Sequence, residues 1–171
     1  MEQKISLRPL EPEDLELLYT IENDMTQWHT TNTTTPYSHY DLKDYILNQQ
    51  HDIYTDRQIR LVITLHTTQG TQAIGLADIY NYDPHNDKAE IGIVIKQQYQ
   101  GNKYATQALT QLVTYARDVI HLHQLYAIVQ NDNKISLNML NAAGFNIKTT
   151  LQQWLRQGKK YQDAILMQII L

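Results

Sequence analysis

The residues best suited to chemistry gather where an apolar run meets a glycine turn. Ile93-Val94-Ile95 closes a strand-like segment, and Gln100-Gly101-Asn102-Lys103-Tyr104-Ala105-Thr106 follows, just before a long amphipathic stretch. A glycine at the mouth of a helix presents backbone N–H groups without an intrahelical partner, together with the positive end of the helix dipole. Those are the requirements for holding a pyrophosphate. The same glycine serves equally well to turn the chain, and the loop alone does not separate the two readings. Other reactive types are sparse. Glu90 and Asp78 are lone acids within apolar runs, and His121 and His123 share a face without a third ligand, so no metal site is read. Trp28 and Trp154 fit either an acceptor pocket or the rim of a core.

Around these residues the chain alternates strand and helix patterns. Ile5-Ser6-Leu7-Arg8-Pro9-Leu10 alternates apolar and polar residues, with Pro9 marking an edge or a strand end. Pro12 and the acids Glu13 and Asp14 open a helix that carries Leu15, Leu18, Ile21 and Met25 on one side. A Thr-rich loop over 30–36 precedes a second helix over 40–46. Residues 59–65 and 73–80 read as strands joined by Thr67-Thr68-Gln69-Gly70, and 89–95 as a third. Ala105, Leu109, Leu112, Val113, Ala116 and Ile120 mark a long helix, and 125–129 a short apolar strand of the central kind. Asn131-Asp132-Asn133 caps a helix that stops at Gly144, and 149–156 with 161–170 form a closing hairpin around Gln157-Gly158-Lys159. The order β α α β β β α β α β β predicts a mixed α/β sheet with helices on both faces.

Composition bounds the reading. The 171 residues suit one domain, 1–171, and the 42% hydrophobic share supplies a sizeable core. A net charge of −4 argues against a broad basic face for nucleic acid. No apolar run reaches the length of a membrane span and no leader pattern opens the chain, so a cytoplasmic protein is expected. With no cysteine there is no thiolate nucleophile, thiolate metal ligand or disulfide.

Gln100-Gly101-Asn102-Lys103-Tyr104-Ala105 resembles the Gln/Arg-x-x-Gly-x-Gly/Ala signature of the GNAT superfamily of acetyl-CoA-dependent N-acetyltransferases. Its outer positions agree, and Lys103 stands where the second glycine is expected. Leu7-Arg8-Pro9-Leu10-Glu11-Pro12-Glu13-Asp14-Leu15 is similar to the family opening, and Asn133-Lys134-Ile135-Ser136 through Ala143-Gly144-Phe145 to its Asn-x-x-Ser…Gly-Phe block. Gly158-Lys159-Lys160-Tyr161-Gln162-Asp163-Ala164 resembles the branch of ribosomal-protein N-terminal and spermidine N-acetyltransferases. The likeness spans nearly the whole chain in the right order.

The resemblance implies a mixed, mostly antiparallel sheet of about seven strands with about four helices on both faces. It implies acetyl-CoA as co-substrate, with pantetheine in a gap between strands four and five. Ile93, Val94 and Ile95 then supply main-chain bonds, and Gln100, Gly101, Asn102, Lys103, Tyr104, Ala105 and Thr106 the phosphate cradle. Lys103 is expected at ordinary φ in the first helical turn with its ammonium toward the phosphates; the opposing reading is a weakened cofactor site.

Direct transfer to a primary amine is helped by a base or a water relay, because amine pKa values run from about 8 for an α-amine to about 10.4 for a lysine-like nitrogen. Glu90 is the first candidate and Asp78 the reserve; a solvated strand-start acid is the other reading of Glu90. Ser136 either stabilises the leaving thiolate or is an ordinary first-turn residue. Asn133 and Asn138 bond either to the pantetheine arm or within the helix. The family's usual tyrosine acid is replaced by Leu140, and no spacing assigns its role to Tyr99, Tyr104 or Tyr126.

The expected acceptor is a peptide or protein α-amine. A polyamine comes second, because carboxylates are scarce in the Thr-rich loop, and an aminoglycoside-like compound third. A non-catalytic coenzyme A-binding module is the alternative from another class. The apolar last strand either pairs or packs across a two-fold in a homodimer or is covered within the chain; nucleic-acid and membrane partners are not expected.

Overall fold

The computed structural model describes residues 4–28 and 33–171. Among them, seven strands form one sheet in the order β1-β2-β3-β4-β5-β7-β6. These are β1 (Ile5–Pro9), β2 (Ile59–Thr67), β3 (Gly70–Asp83), β4 (Lys88–Ile95), β5 (Gln124–Gln130), β6 (Asn146–Gln157) and β7 (Lys160–Ile170). The helices are α1 (Leu15–Glu22), α2 (His39–Leu47), α3 (Ile53–Asp56), α4 (Tyr104–Tyr115) and α5 (Lys134–Ala142). Of the loop expected over 30–36, residues 30–32 lie outside the described residues, and 33–36 form neither helix nor strand.

The helices sit on both faces, as expected from the sequence. Leu17 and Leu18 of α1 and Leu42 and Ile46 of α2 pack with Val62 and Leu76 on one face. Ala108, Leu109 and Leu112 of α4 and Leu137 and Leu140 of α5 bury against Ile63, Ile79, Ile91 and Leu125 on the other. Alternation along each strand sends successive side chains to the two helix layers. One helix more than expected is present. In α3, Asp52 accepts from the Tyr54 amide and the Thr55 hydroxyl, enough to close a single turn from a stretch with no apolar periodicity.

Every neighbouring pair is antiparallel except β4 and β5. That parallel pair is held only at Lys88, Ala89 and Glu90 against Gln124, Leu125 and Tyr126. Beyond these residues β4 stays on β3 while β5 follows β7, so the sheet opens into a wedge. Two bulges shape the strands leading to it, one in β3 opposite Ile63/Thr64 and one between Tyr80 and Asp83.

The last strand takes the second of its two expected placements, covered within the chain. β7 is bonded on one side to β5 and on the other to β6. Both of its edges are satisfied within the chain, and it cannot extend a sheet across a two-fold. At this end of the sheet the edge strand is β6, most of whose residues are exposed. No helix among the described residues is long and apolar enough to cross a membrane.

Candidate active site

The wedge and the loop after β4 form one continuous feature. Because β4 and β5 run parallel, the segments leaving their C-terminal ends lie at the same mouth. One leads to the N-terminus of α4 and the other to that of α5. β4 closes with the Lys96 amide donating to the Ile74 carbonyl at 2.9 Å. After a single 3₁₀ turn at Gln97–Tyr99, Gln100 is extended and its Nε2 donates back to the Ile95 carbonyl at 2.9 Å. The Asn102 side chain donates to the Tyr99 and Gln100 carbonyls at 3.2 Å each. These bonds hold the loop in shape with side-chain donors, not main-chain amides. The first intrahelical bond of α4 runs from the Gln107 amide to the Lys103 carbonyl, at 3.1 Å. The amides of Ala105 and Thr106 therefore precede the first intrahelical donor, the arrangement that suits a pyrophosphate.

Lys103 departs from expectation. It is the N-cap of α4 in the left-handed region, at φ 61°, instead of a first-turn residue at ordinary φ. The chain turns at Gly101, φ 81°, and turns left-handed again at 103 to enter the helix. That second turn is a conformation glycine takes freely, and this chain makes it with a lysine side chain.

Along the wedge the acids sit on the face that carries α1 and α2. On β4, Ala89, Ile91 and Ile95 are buried on the α4 side, which leaves Glu90, Gly92 and Val94 on the other. Glu90 lies opposite Tyr80 of β3 and Tyr126 of β5. Its Oε2 accepts from Asn81 Nδ2 at 3.0 Å. Burial, and then the charge of Glu90, push the Tyr80 hydroxyl well above its ordinary pKa, so it stays protonated beside that carboxylate.

Asp78, two residues before Tyr80 on the same face, is held differently. Arg60 of β2 donates Nε and Nη2 to its two oxygens at 2.9 Å each, and Nη1 to Glu22 Oε1 at 2.6 Å. The Tyr45 ring lies 5.7 Å from the guanidinium carbon. Burial would weaken the Arg60 charge, but Asp78 and Glu22 outweigh it and keep it charged. Sequence reasoning missed Arg60, Glu22, Tyr80 and Asn81. One signal was available for Arg60, the lone cation in the otherwise apolar or hydroxyl-bearing run 59–65.

At the other helix mouth, Asn133 caps α5, its Oδ1 accepting from the Ser136 amide at 3.1 Å. The Ser136 side chain is half-buried, and Asn138 is exposed two residues on. Leu140 is 2% exposed and belongs to the core. The position that carries a tyrosine in much of the family here faces inward with an aliphatic side chain. His121 ends the π-helical turn Ala116–Ile120 in the left-handed region, and no group of metal-ligating side chains occurs among the described residues.

A mixed sheet split between two parallel strands, with a glycine-turned helix N-terminus at the mouth of the split, defines the acetyl-CoA-dependent acyltransferases of this architecture. The chain belongs to the acetyltransferase (GNAT) domain family, whose profile matches residues 4–146. It is an N-acetyltransferase using acetyl-CoA. It is 29% identical over 167 residues to the spermidine N(1)-acetyltransferase of Escherichia coli strain K12, covering 95% of this chain and 84% of that one. A second spermidine N(1)-acetyltransferase, from Vibrio cholerae, is 24% identical over 173 residues and covers 99% and 95%. The crystal structure of the spermidine N-acetyltransferase from Vibrio cholerae in complex with CoA and spermine superposes with a TM-score of 0.86 at 22% identity, over 97% and 95% of the two chains.

Proposed function

We propose that the amine acetylated by this chain is a polyamine of the spermidine class. The observation that carries the reading is the near-full-length likeness to spermidine N-acetyltransferases. The arrangement of charge supports it. Glu22, Asp78 and Glu90 sit on one face of the sheet against the single guanidinium of Arg60, leaving an excess of negative charge where a multiply charged cation is accommodated. This reverses the order drawn from the Thr-rich loop, in which a peptide α-amine stood first. The acids that the loop lacks are supplied by α1, β3 and β4.

In this reading acetyl-CoA contributes the activated thioester. The main chain of Ile93, Val94 and Ile95 orients the pantetheine arm, and residues Gln100 to Thr106 hold the pyrophosphate. Glu90 accepts the proton of the attacking amine. Asp78, engaged on both oxygens by Arg60, contributes charge and not proton transfer. The Ser136 hydroxyl donates to the departing sulfur, while Asn133 keeps to its cap and Asn138 lies beside the arm.

Thiol release measured with spermidine, spermine, an N-terminal peptide and an aminoglycoside tests the proposal. The expected result is turnover highest with the polyamines and reduced at least about a hundredfold by Glu90→Gln. Turnover confined to the peptide would return the α-amine to first place.

A further inference from the structure

The hairpin that closes the chain stands apart from the rest of the molecule. β6 packs on β7, and no other described element makes more than passing contact with it. Neighbouring residues along β6 are exposed in turn, so both of its faces meet solvent. Ile147 and Trp154 of β6 and Tyr161 of β7 are each more than half exposed. The register sets Arg156 opposite Tyr161, and Trp154, two residues back along β6, shares their face near the tip. Residues 146–163 carry the cations Lys148, Arg156, Lys159 and Lys160 against one acid, Asp163. Among the described residues none of these cations is in an ion pair.

The opposite charge lies across the sheet from this hairpin. α1 and α2 pack over β2 and β3, while β6 is the far edge. Residues 11–56 hold ten acids against one cation, Lys43. Arg8 and Arg60 take up Asp14 and Glu22, and most of the other acids are exposed, Glu13 and Asp44 among them. Where α1 begins, a groove of about 300 Å³ runs against α2, lined by Pro12, Glu13, Leu15, Lys43, Ile46 and Leu47. Leu47 and, two turns earlier, Tyr40 form an exposed apolar stripe on α2. The chain exposes 10614 Å² of surface, where a stable monomer of 20.0 kDa exposes roughly 8,700 Å². Two interface patches of about 800 Å² each would cover most of the excess.

We infer that the chain self-associates head to tail, the β6–β7 hairpin of one copy docking on the α1–α2 layer of a second copy. Trp154 and Tyr161 meet the groove beside Leu47, and the hairpin cations meet the acids around it. Aromatic anchors in a groove supply affinity, and opposite charge supplies orientation. A hairpin-to-hairpin two-fold would instead set like charges together. Pairing through the outer edge of β6 is interrupted at Lys148, where the register with β7 shifts, and again at Gln153, φ 48°. Because the two patches differ, each copy uses both, and the contact repeats until the assembly closes.

Sedimentation equilibrium of the full chain tests the contact. At low salt the expected mass is a multiple of 20.0 kDa, falling toward 20.0 kDa as salt rises. Trp154→Ala, the hairpin variant Lys159→Glu/Lys160→Glu and the helix variant Glu13→Lys/Asp44→Lys should each raise the dissociation constant about tenfold or more. All five side chains are exposed, and an unchanged far-ultraviolet circular dichroism spectrum separates a lost contact from a lost fold. Mixing the hairpin and helix variants should restore assembly, because each altered patch then meets its opposite charge. A mass of 20.0 kDa at low salt, up to about 100 μM chain, overturns the association. Assembly weakened by the hairpin variants and untouched by the helix variant overturns the head-to-tail contact in favour of a hairpin two-fold. Assembly unmoved by any of the variants overturns the hairpin's part in it.

Discussion

Lys103 shows how one residue can satisfy a motif by conformation while breaking it by type. Its φ of 61° is the geometry a glycine takes freely and an L-residue takes at a cost of roughly 1–2 kcal/mol. Lys103→Gly should therefore raise stability by about 1 kcal/mol, read as a higher urea midpoint with an unchanged slope. Lys103→Ala keeps the strain and loses the ammonium. Comparing coenzyme A affinity by calorimetry in the two variants separates charge from backbone. Weaker binding in both assigns the ammonium a role at the phosphates; unchanged binding in both leaves the lysine as a strained cap. The expected first-turn geometry failed because helix start and chain reversal compete for the same residue, and only the path from Gln100 to Tyr104 decides between them.

At the level of elements, the close approach of β3 and β4 is what keeps β4 on one side of the wedge. Gly75 sits where β3 has just taken its first bulge, and a Cβ there would lie 2.1 Å from the Val94 carbonyl oxygen. No side chain fits between backbone atoms at that distance. Gly75→Ala should cost about 2–3 kcal/mol, seen in urea unfolding, as the two strands are pushed apart. Coenzyme A affinity should fall with it, since Val94 and its neighbours form the strand proposed to orient the pantetheine arm. Most elements were legible from apolar periodicity. The exceptions were α3, closed by the side chain of one aspartate, and the end of the long helix, where α4 stops at Tyr115 and a π-helical turn carries the chain to Ile120. The first has no repeat for periodicity to detect, and in the second Ala116 and Ile120 continue the apolar pattern of the helix before them.

Across the whole molecule, the first strand is tied to the first helix by a partly buried ion pair. Arg8 donates to both oxygens of Asp14 at 2.6 and 2.7 Å, and Asp14 is 5% exposed. Burial alone would raise the Asp14 carboxyl, but the Arg8 guanidinium and the Glu11 amide outweigh it and hold its pKa below the ordinary carboxylate value. A carboxyl lowered on folding adds stability that is fully present above its unfolded pKa of about 3.9 and is lost as pH falls through the folded value. Asp14→Asn should thus destabilise the protein at pH 7 by about 2 kcal/mol. It should also flatten the fall in stability below about pH 4. Urea melts at successive pH values check both, and an unchanged acid limb would remove Asp14 from the account.

What the sequence by itself determined was the succession of strands and helices, the two helix layers, and the loop after β4. These depend on local periodicity and on glycine, which act over a few residues. It also placed Glu90 and Asp78 on neighbouring strands. Tertiary structure decided which groups those acids meet. An unbulged hairpin drawn from the Thr67/Gly70 turn would set Arg60 opposite Ala77, and the shift between Ile63 and Thr64 sets it opposite Asp78 instead. The second bulge does the same for Tyr80 and Glu90. Because side chains alternate with a period of two, a one-residue slip moves every group to the other face of its strand. Such a slip is decided by how two long strands pack between helix layers, a contest between distant residues that no local pattern records.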